Sequence, residues 1–408
     1  MLEVLVYALA GVVLGTVTGL IPGLHVNNLT PILIALAAAA STGMVALIVA
    51  MSITNVFTSY IPATFLAAPE EGTELSVLPA HRLLLEGRGY QAIRFSAIGC
   101  LSGVMVAAAL SLPFTAIIAP AYELIRPQMH WLLIAIAAIM ILLERSLEKI
   151  IWAVVVFLLS GFLGLLSLGT NLMPADAALL PLLSGLFGAS VLLPSIAHCS
   201  TIPEQHLDEE PVDIRACIRP ICAGTAAGAF TGIVPSIGPS QGTVLAQLIT
   251  RSRGTEEFLI SVSSVNISKA IFSFIAIFAI GRARSGAAVA VGKIMDASSV
   301  NPPLIIGVAL FAGGIAAILQ LSLGRLAAKH MDRFPYRWLC LAVLAFMVIF
   351  TLYCSGLAGI IVLATATALG ILPAAANIKR THAMGVLMFP CILFFAGIRE
   401  SVLTALGL

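Results

Sequence analysis

The chain writes one stretch twice, and this duplication restricts its fold more than any other feature. Gly11 to Ala40 and Gly224 to Ile249 align without a gap at an offset of 213, setting Gly11, Gly15, Thr18, Gly19 and Pro22 on Gly224, Gly228, Thr231, Gly232 and Pro235. Each copy reads as an apolar helix with glycine at every fourth position, a Pro-marked polar bend, and a second apolar helix. Glycines at that spacing let a neighbouring helix approach closely. The proline removes a donor and pushes the residue before it out of helix, so the helix stops there. In hydrocarbon a broken backbone is tolerated only where protein or a wet cavity satisfies it. Interruptions at matching places in two halves therefore point to a binding site between them. A pair of Pro-kinked helices packed by their glycines is the plainer alternative. The polar groups at the bends, His25, Asn27, Asn28 and Thr30 in one and Ser236, Ser240, Gln241 and Thr243 in the other, favour the site.

That argument presumes a bilayer, and composition supplies it. Hydrophobic residues make up 60% of the chain and charged residues 10%, with a mean hydropathy of +1.08, whereas charge runs near a quarter in soluble domains. Apolar runs far longer than the roughly ten-residue alternating strands of a barrel recur throughout, so the fold class is an all-α polytopic membrane protein. No basic n-region precedes the first apolar run, so no cleaved signal peptide is expected. The net charge of +2 gives no reason to expect a nucleic-acid partner. Seven cysteines lie mostly inside apolar runs and form no CxxC, which reads as small buried residues. HExxH, GxSxG and P-loop motifs are missing, so no enzyme is expected. His198 and His206 match no standard zinc spacing, and no metal or other cofactor is expected.

At about twenty residues per crossing, the chain divides into a re-entrant hairpin at 4–40 with spans near 44–62, 95–112, 129–143, 150–168 and 177–196. A second hairpin at 216–250 precedes spans near 257–280, 302–323, 338–354, 357–376 and 382–398. This gives a first repeat over 1–196, a cytoplasmic connector at 197–215 and a second repeat over 216–408. With two hairpins and ten spans, the basic clusters around Arg88, Arg145, Arg215, Arg253, Lys329 and Lys379 all fall on one face, the cytoplasmic one by the positive-inside rule. Both termini then lie outside. An odd number of spans per half turns the second half upside down, so the repeats are of inverted topology.

Downstream, Ser52 and Asn55 match Ser263 and Asn266 at an offset of 211, and both elements are then broken near mid-span by charged stretches. The first break carries Glu70, Glu71 and Glu74; the second carries Arg282, Arg284 and Lys293. Lys269 stands in a long apolar run where that alignment puts Thr58 in the first half. An ammonium at such depth costs a few kcal/mol and usually faces a pathway or a partner. Beside two hairpin tips it would add to the partial positive charge of helix N-termini and suit an anion. An ion pair to the acidic trio, or a snorkelling side chain, are the other readings. The trio itself either holds a coupling cation, Na+ or H+, or neutralises Arg282 and Arg284. Asp176 reads as a helix cap. His25 could bind substrate or titrate near neutral pH, or be a hydrogen-bonded buried histidine. The candidate binding residues are Pro22, Gly23, His25, Asn27, Asn28, Asn55, Pro235, Ser236, Gly238, Ser240, Gln241, Asn266 and Lys269, with the two tips expected to meet near the membrane centre.

The turn GLIPG at Gly19 to Gly23, the stretch Ala68 to Gly89 with APEEG and LLLEGRG, LLSGLFG at Leu182 to Gly188, the tip GIVPSIGPSQG and KRTHAMGVLMFP at Lys379 to Pro390 together resemble the large membrane subunit of tripartite tricarboxylate transporters, the TctA family. The resemblance spans most of the chain. It implies secondary transport of a di- or tricarboxylate-like organic anion by alternating access in the cell membrane, driven by a Na+ or H+ gradient, with substrate near the two tips. Translocation of an anionic lipid carrier such as a polyprenyl phosphate is the alternative. An intramembrane enzyme or scaffold is a third reading, and the symmetric pair of tips argues against the enzyme. The first tip reads PGLHVNN where bacterial members usually have a more glycine-rich bend, and the shorter chain resembles the compact archaeal branch. Expected partners are the anion, membrane lipids, and a second copy of the chain or a small membrane subunit.

Overall fold

The computed structural model describes residues 2–21, 26, 42–66, 72–73, 75–170, 172–173, 177–197, 203–207, 211–235, 237–250, 254–283, 285–294, 301–330 and 336–407. These are helical almost throughout, and no strand occurs among them. Eight helices among the described residues are long and apolar enough to cross a bilayer. The chain is a multi-pass helical membrane protein. Two of those runs, 89–142 and 340–375, are long enough for more than one crossing.

Helix α1 (Leu2–Leu20) lies along α2 (Thr42–Thr58) through bare backbone. A Cβ at Gly11 would strike the Leu47 carbonyl, at Gly15 the Met51 carbonyl, and at Gly19 the Thr58 hydroxyl. Thr58 Oγ1 donates to the Gly15 carbonyl at 3.2 Å. A single turn residue separates α2 from α3 (Tyr60–Phe65), and the two form a run of 24 residues, long and apolar enough to cross a bilayer before it breaks. The expected mid-span break therefore falls at the end of the span. After it come α4 (Val77–Leu85) and α5 (Gly89–Ile125). Helix α5 has 37 residues, twice the expected span, because Pro113 and Pro120 lie inside it without ending it. Membrane helices tolerate such prolines when neighbours or local adjustments satisfy the freed carbonyls. Helices α6 (Met129–Leu142), α7 (Leu147–Gly169), α8 (Leu179–Leu183) and α9 (Ser190–Ala197) complete this half, with one π-helical stretch, Ser184–Ala189, joining the last two.

The second half repeats the opening. Helix α10 (Ile214–Ile233) ends where Val234 turns extended ahead of Pro235, as a pre-proline residue must. Helix α11 (Pro239–Thr250) then folds back along it: a Cβ at Gly242 would meet Thr231, and Arg219 Nη2 donates to the Ile249 carbonyl at 2.8 Å. Helix α12 (Thr255–Ile280) packs on α10 through Gly224, Gly228 and Gly232, whose missing Cβ atoms face the carbonyls of Ser261, Val265 and Lys269. It runs 26 residues before Gly281, in the left-handed region at φ 62°, ends it. Helices α13 (Gly286–Ile294), α14 (Pro302–His330), α15 (Tyr336–Ala375), α16 (Gly385–Phe395) and α17 (Arg399–Ala405) follow. Within α15 the backbone leaves helical geometry at Gly356 (φ 63°, ψ −159°), between the two spans expected there.

The halves interlock. Helix α5 packs on α12, with Gly99 against the Ile260 carbonyl and Gly103 against Ile267, while α14 packs on α2 and α5. A second bundle pairs α7 with α16 and the π-helical stretch with α15, again through glycines: Gly164 meets the Val386 carbonyl and Gly370 the Leu186 carbonyl. In the connector, the side chain of Gln205 accepts from Gly89 N at 2.8 Å and His206 N donates to the Gly87 carbonyl at 2.7 Å, fixing it to the corner between α4 and α5.

Candidate functional site

Between the two glycine-packed units lies a cavity of about 340 Å³. Ser52 and Asn55 of α2 with Ser59 in the turn that follows it, and Asn266, Lys269 and Ser273 of α12, border it. In both helices the spacing is three and then four residues, which places each set on one face. The two sets correspond at an offset of 214. The glycine seams give the same register, since Gly15 meets Met51 and Thr54 as Gly228 meets Val265 and Ser268. Hydrogen bonds repeat as well: Ser59 donates to the Val56 carbonyl at 3.1 Å and Ser273 to the Ala270 carbonyl at 2.8 Å. Lys269 is thus the counterpart of Asn55, and Asn266 the counterpart of Ser52. The sequence alignment at 211, which paired the two asparagines and set Lys269 on Thr58, is displaced by three residues. Matching like residue types selected a position almost one helical turn away, on nearly the same face.

Val26, and Val234, Ile237 and Gly238 from the turn between α10 and α11, also border the cavity, together with Thr231 of α10 and Leu179, Leu183 and Leu387 from the second bundle. Asn55, buried, donates from Nδ2 to Thr18 Oγ1 at 3.2 Å, so α1 orients its amide. Near the start of α13, Ser285 caps Ala288 N at 3.2 Å and meets Ser273 at 3.1 Å.

Asn266 has a further neighbour. Gly72, at φ 98°, lies so close that a Cβ there would overlap the Asn266 side-chain oxygen. Gly72, the glycine of APEEG, therefore stands against the cavity wall of the second half.

Of the sequence candidates, Asn55, Gly238, Asn266 and Lys269 border the cavity. Pro235, Ser240 and Gln241 do not. Gln241 is fully buried behind the tip, accepting from Gly238 N at 2.9 Å and directing its amide to Met388 Sδ at 3.8 Å, so it holds the tip's shape. Pro22, Gly23, His25, Asn27, Asn28, Ser236, Glu70, Glu71 and Glu74 lie outside the described residues. Ser52, Ser59, Thr231, Ser273 and Ser285 were missed as lining residues. For Ser52, Ser59 and Ser273 the three-and-four spacing shared with Asn55, Asn266 and Lys269 becomes readable only once the two helices are set in register.

Comparison with known proteins places the chain. The model of the tripartite tricarboxylate transporter TctA family matches residues 5–385. An uncharacterized protein of Methanocaldococcus jannaschii is 29% identical over 400 residues, covering 96% of this chain and 98% of its own. No solved structure matches.

Proposed function

The chain belongs to the tripartite tricarboxylate transporter TctA family, a family of transporters and not of enzymes, and from that premise we propose that it carries a small organic anion through the central cavity by alternating access. The observation that carries this reading is the pair of matched polar stripes facing one cavity, with a lysine in one stripe and an asparagine at its counterpart. The volume of about 340 Å³ falls at the small end of small-molecule sites. Lys269 supplies a positive charge and Asn55, Asn266 and the serines supply oriented dipoles, a set suited to a carboxylate with further polar substituents.

In this proposal the two halves are inverted repeats and the two hairpins re-enter the membrane from opposite faces. The repeated seams, stripes and hydrogen bonds support the duplication, and the placing of the basic clusters on one face by an odd number of spans per half supports the inversion. A coupling Na+ or H+ at the acidic trio is supported by Gly72, which brings that segment's chain against Asn266. A small membrane subunit or a second copy is the proposed protein partner.

The test is Lys269→Met, with uptake of di- and tricarboxylates measured in proteoliposomes. Uptake is expected to be lost while the melting temperature in detergent stays within about 2 °C of the parent. A large fall in melting temperature, with uptake reduced only in proportion to folded protein, would assign Lys269 to a structural ion pair instead. Unchanged uptake would remove it from the site.

A further inference from the structure

The start of α13 opens onto the central cavity. This nine-residue helix packs on α2 and α12, and its cap Ser285 and first two residues, Gly286 and Ala287, all border the cavity. A helix leaves its first N–H groups without an acceptor of its own. Here Ala288 N donates to Ser285 Oγ at 3.2 Å and Val289 N to the Ser285 carbonyl at 2.8 Å, which leaves the Gly286 and Ala287 N–H groups with no acceptor among the described residues. Ala287 is 1% exposed, so bulk water does not supply one.

The neighbouring hydroxyls are already engaged. Ser273 donates to the Ala270 carbonyl at 2.8 Å and stands 3.1 Å from Ser285, so Ser285 donates to Ser273 while it accepts from Ala288 N. This chain of bonds fastens the start of α13 to α12 and leaves the two N–H groups as its open donors. Lys269 stands one turn before Ser273, and no carboxylate occurs among the described residues bordering the cavity. Helix α4, which follows the break in the first half as α13 follows that in the second, has no described residue at the cavity.

A separate observation comes from the other end of the α12 stripe. The Asn266 side chain is 5% exposed and borders the cavity, yet it has no hydrogen-bond partner among the described residues. Ser273 follows it by seven residues, about 10 Å along the helix.

We propose that the N-terminus of α13 seats the substrate's carboxylate, on the Gly286 and Ala287 N–H groups, while the Asn266 amide takes a second polar group at the far end of the molecule. This deepens the transport reading above and rests on it. A carboxylate at a helix start meets both open donors and the favourable end of the helix dipole. Because the two sets of donors are about 10 Å apart along α12, the site favours an acid with acceptors at both ends over a compact one such as acetate.

The test measures binding of succinate, citrate and acetate through the melting temperature of the full-length protein in detergent, with uptake followed in proteoliposomes. Succinate and citrate are expected to bind more tightly than acetate; equal binding of all three would overturn the proposal. Gly286→Pro removes one N–H at a position where proline suits the start of a helix, and Gly286→Ala keeps it. The proline variant is expected to weaken binding roughly ten-fold and the alanine variant by less than about two-fold. Equal weakening would overturn the cradle, since bulk and not the donor would then be responsible. Should the proline variant fail to fold, amide hydrogen exchange over 285–289 in the parent decides: slower exchange with bound acid supports the cradle, and unchanged exchange at saturation overturns it. Asn266→Leu is expected to weaken binding roughly ten-fold while the melting temperature without ligand holds or rises, because an unsatisfied amide is removed. A lower melting temperature with unchanged affinity would assign Asn266 to the fold and overturn its role. A parent that binds these acids without transporting them fails the transport reading alone, and a parent that binds none of them fails both.

Discussion

Gly72 shows how much a single missing methyl group can decide. Its φ of 98° belongs to glycine, and the space where a Cβ would stand is taken by the Asn266 amide. Gly72→Ala therefore combines backbone strain with a displaced cavity residue, and a loss of about 1–3 kcal/mol is expected. Lower melting temperature together with weaker substrate uptake would be the readout; a change in neither would show that Asn266 moves aside freely. Glu144 is the second residue with a measurable signature. Burial pushes its carboxyl up, but the His382 hydrogen bond at 3.0 Å, the Lys379 N–H at 3.1 Å and the charges of both outweigh that and hold it below the ordinary carboxylate range. A carboxylate with a depressed folded pKa contributes stability above its unfolded value, about 4.3, and that stability is lost as pH falls through the folded value. The gap in melting temperature between the parent and Glu144→Gln should be largest near pH 7 and close below about pH 4.3. A gap that is constant with pH would mean the charge contributes nothing.

At the level of elements, the glycine seams were the most legible part of the chain, because glycine every fourth residue has few other uses in a membrane helix. Gly228→Val is expected to force α10 off the Val265 carbonyl and cost several kcal/mol, since backbone cannot yield as a side chain can. Gly314→Val on α14, where a Cβ meets nothing within 4 Å, is the control and should be nearly neutral. Equal melting temperatures for the two variants would remove the seam from the account. The polar stripes were half legible. Asn55, Asn266 and Lys269 stood out by type, but serines in a membrane helix so often bond back to their own helix that Ser52, Ser59 and Ser273 carried no signal until the register was known. The length of α5 was not legible, because proline ends helices in water and lies inside this one.

For the whole molecule, the proposed inversion of the halves makes a geometric claim. In a background lacking the native cysteines, Thr42→Cys and Asn301→Cys should react with an impermeant reagent from outside, and Glu86→Cys and Gly254→Cys only after permeabilisation. All four positions neighbour helix ends, and exposed residues stand at each. Labelling of positions 42 and 254 from the same side would defeat the inverted arrangement. That the chain is all-helical and multi-pass was readable from its composition and the spacing of its apolar runs. How they cross-pack was not, because a pattern repeated in both halves does not say which copy serves as partner to which.

That cross-packing has a consequence for biogenesis. The face of α5 around Gly99 and Cys100 is covered by Ile260 and Ser263, and Cys100 Sγ lies 3.8 Å from the Ser263 carbonyl, 163 residues further along the chain. At synthesis rates of about 5–20 residues per second, roughly 10–30 s pass between the insertion of that face and the arrival of its partner. Throughout that interval only lipid, an insertion factor or another nascent chain can cover it. Two ribosomes working side by side on one membrane could then exchange second halves.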